Sequence, residues 1–142
     1  MRPPPRRRAL GPVPASQSGA HVTDPRHELG RRAEDAAATW LSNAGWQVLD
    51  RRWRAAVGEL DIVCRDPTGM LVAVEVKLRR TRRTGAPLEA IDRRRLGRLR
   101  AALGAYAAGS MASWSGLRVD LVTVEPEDSL WRLRRHPGID GP

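Results

Sequence analysis

The stretch Gly58-Glu59-Leu60-Asp61-Ile62-Val63-Cys64-Arg65-Asp66-Pro67-Thr68-Gly69-Met70-Leu71-Val72-Ala73-Val74-Glu75-Val76-Lys77 reads as two strands and the turn between them. Val, Ile and Leu dominate both arms and suit a pleated backbone, while Asp66-Pro67-Thr68-Gly69 interrupts them with turn chemistry. Pro at the first loop position and Gly at the third fit a three-residue hairpin, a type I turn followed by a left-handed residue. With Asp66 paired to Met70 across that loop, Asp61 stands opposite Glu75 and Glu59 opposite Lys77. Side chains two apart on a strand share a face. All four charged residues are therefore expected on one side of the ribbon. Leu60, Ile62, Cys64, Val72, Val74 and Val76 then form an apolar surface on the other.

Two facing carboxylates repel one another and destabilise a sheet. A divalent cation bridging them removes the penalty. Asp and Glu, without His or Cys, are hard oxygen donors suited to Mg²⁺ or Mn²⁺. Lys77 lies two residues beyond Glu75 and is the only lysine in the chain, against 24 arginines. A guanidinium is a planar fork that stays charged, whereas an ammonium is a compact point charge whose pKa moves on desolvation. One lysine kept at this position suggests a role that arginine does not fill. A cation on Asp61 and Glu75 would polarise a phosphoryl oxygen and acidify a water, with Lys77 orienting that water or stabilising developing charge. The plainer reading is a solvent-exposed network of cross-strand ion pairs, Glu59 with Lys77.

Outward from the hairpin, Asp24-Pro25 looks like an N-cap followed by Pro at the first helical position. Leu29, Ala33, Ala36, Ala37, Trp40, Leu41 and Ala44 then recur at helical spacing until Gly45. Glu34 lies at the margin of that apolar face and would lean over the sheet as a further carboxylate. Residues 46–50 read as a short strand. Arg79, Arg80, Arg82 and Arg83 follow the Glu75–Lys77 strand directly and are candidate phosphate contacts. Residues 87–108 read as a second helix, 117–125 as a strand and 130–134 as an edge strand. The order is helix, three strands, helix, one or two strands, an α/β domain over 24–136. Residues 1–23 read as a disordered, basic Pro- and Arg-rich tail and 137–142 as a flexible C-terminus.

Composition narrows the function. The chain has 142 residues, enough for one domain with a real core, and a formal net charge of +9. That balance favours polyanionic partners, above all nucleic acid. A single cysteine, Cys64, excludes an internal disulfide and a zinc cluster of several thiolates, and it is expected to be buried and inert. His21, His27 and His136 stand outside the motif-bearing centre. No apolar run approaches the ~20 residues of a membrane span, and the basic N-terminus lacks the apolar core of a signal peptide. A cytoplasmic protein is expected. The five tryptophans are core candidates, with Trp53, among arginines, also placed to stack on a base.

Gly30…Glu34, Gly58 to Val63, Val74-Glu75-Val76-Lys77, Thr84-Gly85 and Arg118 to Val122 together resemble the YraN family of small bacterial proteins. The resemblance covers roughly residues 28–125. That family is similar in turn to the PD-(D/E)XK nuclease superfamily. The resemblance implies a restriction-endonuclease-like αβββαβ core, a mixed sheet flanked by two helices. It implies that Asp61, Glu75 and Lys77 hold Mg²⁺ and the attacking water, and Glu34 matches an acidic residue common on the first helix there. Two departures stand out: Leu60 precedes Asp61 where Pro is the pattern, and Arg93, Arg94 and Arg95 stand on the second helix where relatives often place Lys. The implied function is a metal-dependent endonuclease on nucleic acid, DNA before RNA, with branched, resolvase-type substrates among the candidates. Since one site cleaves one strand, a homodimer is also implied. The alternative is a non-catalytic nucleic-acid-binding module that keeps the fold.

Overall fold

Asp24 caps the first helix, α1 (Pro25–Asn43), accepting a hydrogen bond from the Arg26 amide at 3.0 Å with Pro25 filling the first helical position. The helix stops at Gly45, whose φ of 90° lets the Trp46 amide turn back onto the Leu41 carbonyl at 3.0 Å. The structure, a computed structural model, describes residues 24–79 and 91–141. The N-terminal tail, Arg80, Arg82 and Arg83, and the segment around Pro87 lie outside the described residues.

Five strands follow in the sheet order β1-β2-β3-β4-β5. They are β1 (Gln47–Ala55), β2 (Gly58–Arg65), β3 (Leu71–Leu78), β4 (Leu117–Glu127) and β5 (Leu130–His136), with helix α2 (Arg93–Ala108) between β3 and β4. The expected helix–three strands–helix–strand order is present, and the edge strand beyond it is real. Strands β3 and β4 run parallel while the other neighbours are antiparallel, so the sheet is mixed. A parallel pair needs a long crossover, and α2 supplies it.

The turn at 66–70 forms as its chemistry dictates. The Asp66 amide donates to the Met70 carbonyl, the Gly69 amide to the Asp66 carbonyl, both at 3.0 Å, and Gly69 has φ 89°. The register follows, with Ile62 opposite Val74 and Cys64 opposite Val72.

Both faces of the sheet are covered. On one, Ala33, Ala37, Trp40 and Leu41 of α1 pack on Ile62, Cys64, Val72, Val74, Val122 and Val124. On the other, Leu99, Ala102 and Leu103 of α2 pack on Leu60, Val63, Leu71, Ala73 and Val119. Period-2 alternation with apolar residues on both sides is what a sandwiched sheet requires.

Several expectations need correction. The face that carries Glu75 is not a solvated polar face, because α2 lies over it. Leu60 belongs to the α2 layer and not beside Ile62, because the strand's alternation breaks at Asp61. Residues 91 and 92 are not helical: α2 begins at Arg93, where Asp92 caps it by accepting from the Arg95 amide at 2.8 Å. The first strand is longer than 46–50 and reaches Ala55. Residues 138–140, read from the sequence as part of a flexible C-terminus, bond to β4. The Ile139 amide donates to the Val119 carbonyl, and the Asp140 side chain accepts from the Val119 amide at 3.2 Å.

Candidate functional site

The site forms where the sheet opens. Strand β2 pairs with β1 at every residue from Gly58 to Arg65 except Asp61, but with β3 only over Ile62–Arg65. At the mouth of this fork the Val76 amide donates to Asp61 Oδ2 at 2.9 Å. A side chain thus takes a backbone donor that the diverging strand no longer serves. The β1–β2 pairing also steps here from Arg51–Ile62 to Trp53–Leu60, so Arg52 and Asp61 drop out of the ladder. Arg52 has φ 51°, a left-handed conformation that L side chains adopt at a cost. The break in alternation between Leu60 and Ile62, which pack in different layers, falls at this pair.

Glu75 is 1% exposed, a carboxylate sealed in the sheet. Its Oε2 accepts from Arg95 Nε of α2 at 2.6 Å, and Lys77 Nζ lies 3.9 Å from the same oxygen. Its Oε1 is buried with no hydrogen-bond partner among the described residues. Asp61 stands within hydrogen-bonding range of Glu75, and its pKa is pushed up to about 8. Burial is the main cause, followed by the hydrogen bond and charge of Glu75, while the Val76 amide works in the opposite direction and Glu34 adds a smaller push. Burial and the neighbouring Glu75 therefore favour the protonated form of Asp61, while Arg95 and Lys77 set positive charge against Glu75.

Asp61 and Lys77 each come to Glu75, although the β2–β3 ladder ends at Ile62–Val74, one step short of the Asp61–Glu75 pairing that the hairpin register gave. Glu59 is not with them: it is exposed on the outer end of β2 and meets Arg54 Nε at 3.4 Å, so the expected Glu59–Lys77 bridge does not form. The two strands have already separated at that level. Glu34 faces the same region from α1, but its Oε1 accepts from Arg52 Nε at 3.0 Å. Arg79 follows β3, its amide donating to the Val124 carbonyl at 2.8 Å.

Sequence reasoning did not single out two of these groups. Arg95 was one of three consecutive arginines, and only the packing of α2 shows which one reaches Glu75. Arg52 lies in a run of basic residues with nothing in its type to reveal a left-handed backbone.

The donor set can be tested against a divalent ion. Among the described residues no group of three or more His, Cys, Asp and Glu side chains converges in a metal-binding cluster. Mg²⁺ commonly takes only one or two protein carboxylates and keeps its remaining positions for water and phosphate oxygens. The unpartnered Glu75 Oε1 beside Asp61 meets that smaller requirement.

Other charged groups are structural. Asp120 is fully buried and accepts from Arg118 Nε at 2.7 Å, Arg135 Nη1 at 2.9 Å and the Gly138 amide at 2.9 Å. Arg118 also meets Asp66 at 3.0 Å, tying the hairpin turn to β4. Trp53 packs edge-on against Tyr106 at 5.2 Å, which gives its ring a role inside the α2 layer. Cys64 is buried in the α1 layer as expected.

Residues 33–124 match the model of the uncharacterised protein family UPF0102. The chain belongs to this family. The matched segment contains α1 from Ala33 onward, the fork and most of β4, so Glu34, Asp61, Glu75 and Lys77 all fall within it. A UPF0102 protein of Mycobacterium sp. (strain KMS) is 38% identical over 100 residues, covering 70% of this chain and 74% of that one. One of Mycobacterium avium (strain 104) is 39% identical over 104 residues, 72% of this chain and 81% of the relative. One of Anaeromyxobacter dehalogenans (strain 2CP-C) is 38% identical over 119 residues, 83% and 88% of the two chains. No described helix is long and apolar enough to cross a membrane.

Proposed function

We propose that this UPF0102 protein is a divalent-metal-dependent endonuclease that hydrolyses phosphodiester bonds in nucleic acid, with DNA as the favoured substrate. The observation that carries this reading is the convergence of Asp61 and the buried Glu75 at an opening in the sheet, with the chain's one lysine 3.9 Å from Glu75.

Asp61 and Glu75 would hold Mg²⁺ or Mn²⁺. Bound there, the ion supplies a Lewis acid for the phosphoryl oxygen and lowers the pKa of a water. Asp61 must give up its proton to serve as a ligand, and the ion's charge would offset the burial and the Glu75 charge that retain it. Lys77, 30% exposed, keeps its ammonium at the mouth of the fork, where it can orient a water or donate to a non-bridging phosphate oxygen. Burial keeps Glu75 in one position, the preorganisation that such electrostatic catalysis needs. A homodimer would place two such sites on the two strands of a duplex or junction.

One observation favours a second reading. Arg95 already neutralises Glu75, as a structural arginine would in a non-catalytic nucleic-acid-binding module.

Cleavage separates the two. The purified protein is incubated with labelled single-stranded, duplex and four-way-junction DNA, with Mg²⁺, Mn²⁺ or EDTA, beside Lys77→Ala. Metal-dependent cleavage that Lys77→Ala abolishes is the expected result and identifies the preferred substrate. Equal binding by both proteins, without cleavage under any condition, would overturn the nuclease and leave the binding module.

A further inference from the structure

Helix α2 carries arginines at 93, 94, 95, 98 and 100 and no acidic residue along its 16 residues. Three of them occupy the first turn, where the helix dipole is already positive and acidic side chains are the stabilising choice. Asp92 at the N-cap offsets part of that charge, and the remaining guanidinium groups favour an anionic partner.

Its neighbours differ in part. On α1 and β1, Arg32 is paired with Glu28, Arg51 with Asp35, Arg52 with Glu34 and Arg54 with Glu59, while Arg26 and Arg31 of α1 meet no carboxylate among the described residues. On α2, Arg95 is taken by Glu75 and Arg100 lies 3.7 Å from Asp140. Arg93, Arg94 and Arg98 are exposed and engage no carboxylate among the described residues.

At about 100° per residue these three border the helix face turned away from the core. Arg94 and Arg98 lie on one side and Arg93 on the other, with exposed Gly97 and Ala101 between them. Open space surrounds the position of a Cβ at Gly97. A smooth track edged with guanidinium groups lets a chain of phosphates lie against the helix while side chains reach it from both edges.

We propose that this outer face of α2 is the docking surface for the sugar–phosphate backbone of a nucleic acid, with Arg93, Arg94 and Arg98 contacting phosphates. The inference rests on the reading of the fork as a site acting on nucleic acid, and adds where the strand lies. The Arg95–Glu75 contact anchors the first turn of α2 at the fork, so Arg93 and Arg94 immediately precede in sequence a residue that touches the site.

The test is anisotropy of labelled duplex DNA, single-stranded DNA and single-stranded RNA with the full-length chain in EDTA, over a salt series. Arg93→Gln/Arg94→Gln/Arg98→Gln is compared with a tail variant, Arg2→Gln/Arg6→Gln/Arg7→Gln/Arg8→Gln, and with a triple Arg→Lys variant at 93, 94 and 98. The α2 triple Gln variant should lose at least about tenfold in affinity, and its log–log salt slope should fall by about two to three, near 0.9 per phosphate contact. The Lys variant should retain most of the affinity, and the tail variant should lose less than the α2 Gln variant. The ranking of the three probes identifies the nucleic acid. Unaltered binding by the α2 Gln variant, loss confined to the tail variant, or no binding by the wild type would each overturn the proposal. Absence of cleavage with loss of binding in the α2 Gln variant would remove the nuclease reading and leave this surface standing. Cleavage by a wild type whose binding ignores the α2 changes would do the reverse.

Discussion

Arg95 Nε donates to Glu75 Oε2 at 2.6 Å, so a helix cation closes on the carboxylate that β3 buries in the sheet. The guanidinium is 46% exposed and the carboxylate 1%, which makes Arg95 the movable partner. The carboxylate cannot give its full charge both to Arg95 through Oε2 and to a divalent ion on Oε1.

Arg95→Ala should therefore act in two directions. In EDTA, urea denaturation should show a loss of roughly 1–3 kcal/mol, the range for a hydrogen bond to a charged group. In a calorimetric titration of the folded variant, Mn²⁺ should bind more tightly than to the wild type. Weaker binding would show that Arg95 supports the ligand geometry instead of competing for it.

Asp61 sets a pH dependence in the metal-free protein. Its folded pKa is about 8 against an ordinary value of 3.8, so the proton is bound more tightly in the folded state. The stability this group contributes is complete below about pH 4 and is lost as pH rises towards 8. Thermal unfolding in EDTA should show Asp61→Asn gaining stability relative to wild type as pH increases over that range. Added Mn²⁺ should stabilise the wild type at pH 8 and not the variant.

Lys77→Arg keeps the charge and changes its shape. If the ammonium orients a water or a phosphate oxygen, the larger planar group will not reproduce that contact. Cleavage should fall by about 10²-fold or more, with thermal stability within a few degrees of wild type. Full activity in the arginine variant would reduce Lys77 to a source of positive charge.

Asp120→Ala should damage the fold and not the chemistry. It removes the acceptor of Arg118, Arg135 and the Gly138 amide and strands Arg135, which is 4% exposed, as a buried charge. Breaking such a pair costs about 3–5 kcal/mol, visible as a lower urea midpoint. A variant as stable as wild type would mean that the cluster carries no net stabilisation.

The Cys64 thiol is pushed up to about 12, by burial first and then by the charges of Asp120 and Asp66. A thiol-reactive disulfide reagent at pH 8 should leave the native protein unmodified and label it promptly in urea. Fast labelling of the native protein would place the thiol in contact with solvent.

The hairpin, the helix order and the Asp61–Glu75–Lys77 grouping were legible in the sequence because each depends on short-range physics. Asp66-Pro67-Thr68-Gly69 specifies its own turn, period-2 apolar strands fix a register within a few residues of that turn, and Asp24-Pro25 and Gly45 punctuate α1. The tertiary structure decided the rest. Glu59 meets Arg54 because the two pair directly across the β1–β2 hairpin, but where β2 leaves β3 and which face Leu60 takes depend on strands and helices distant in the chain packing together. So does the choice of Arg95 for Glu75, because residue type is the same at 93, 94 and 95 and only the seating of α2 on the sheet distinguishes them. Local propensity reaches as far as the turn and the strand; burial of charge is settled by whichever side chains the whole fold brings within reach.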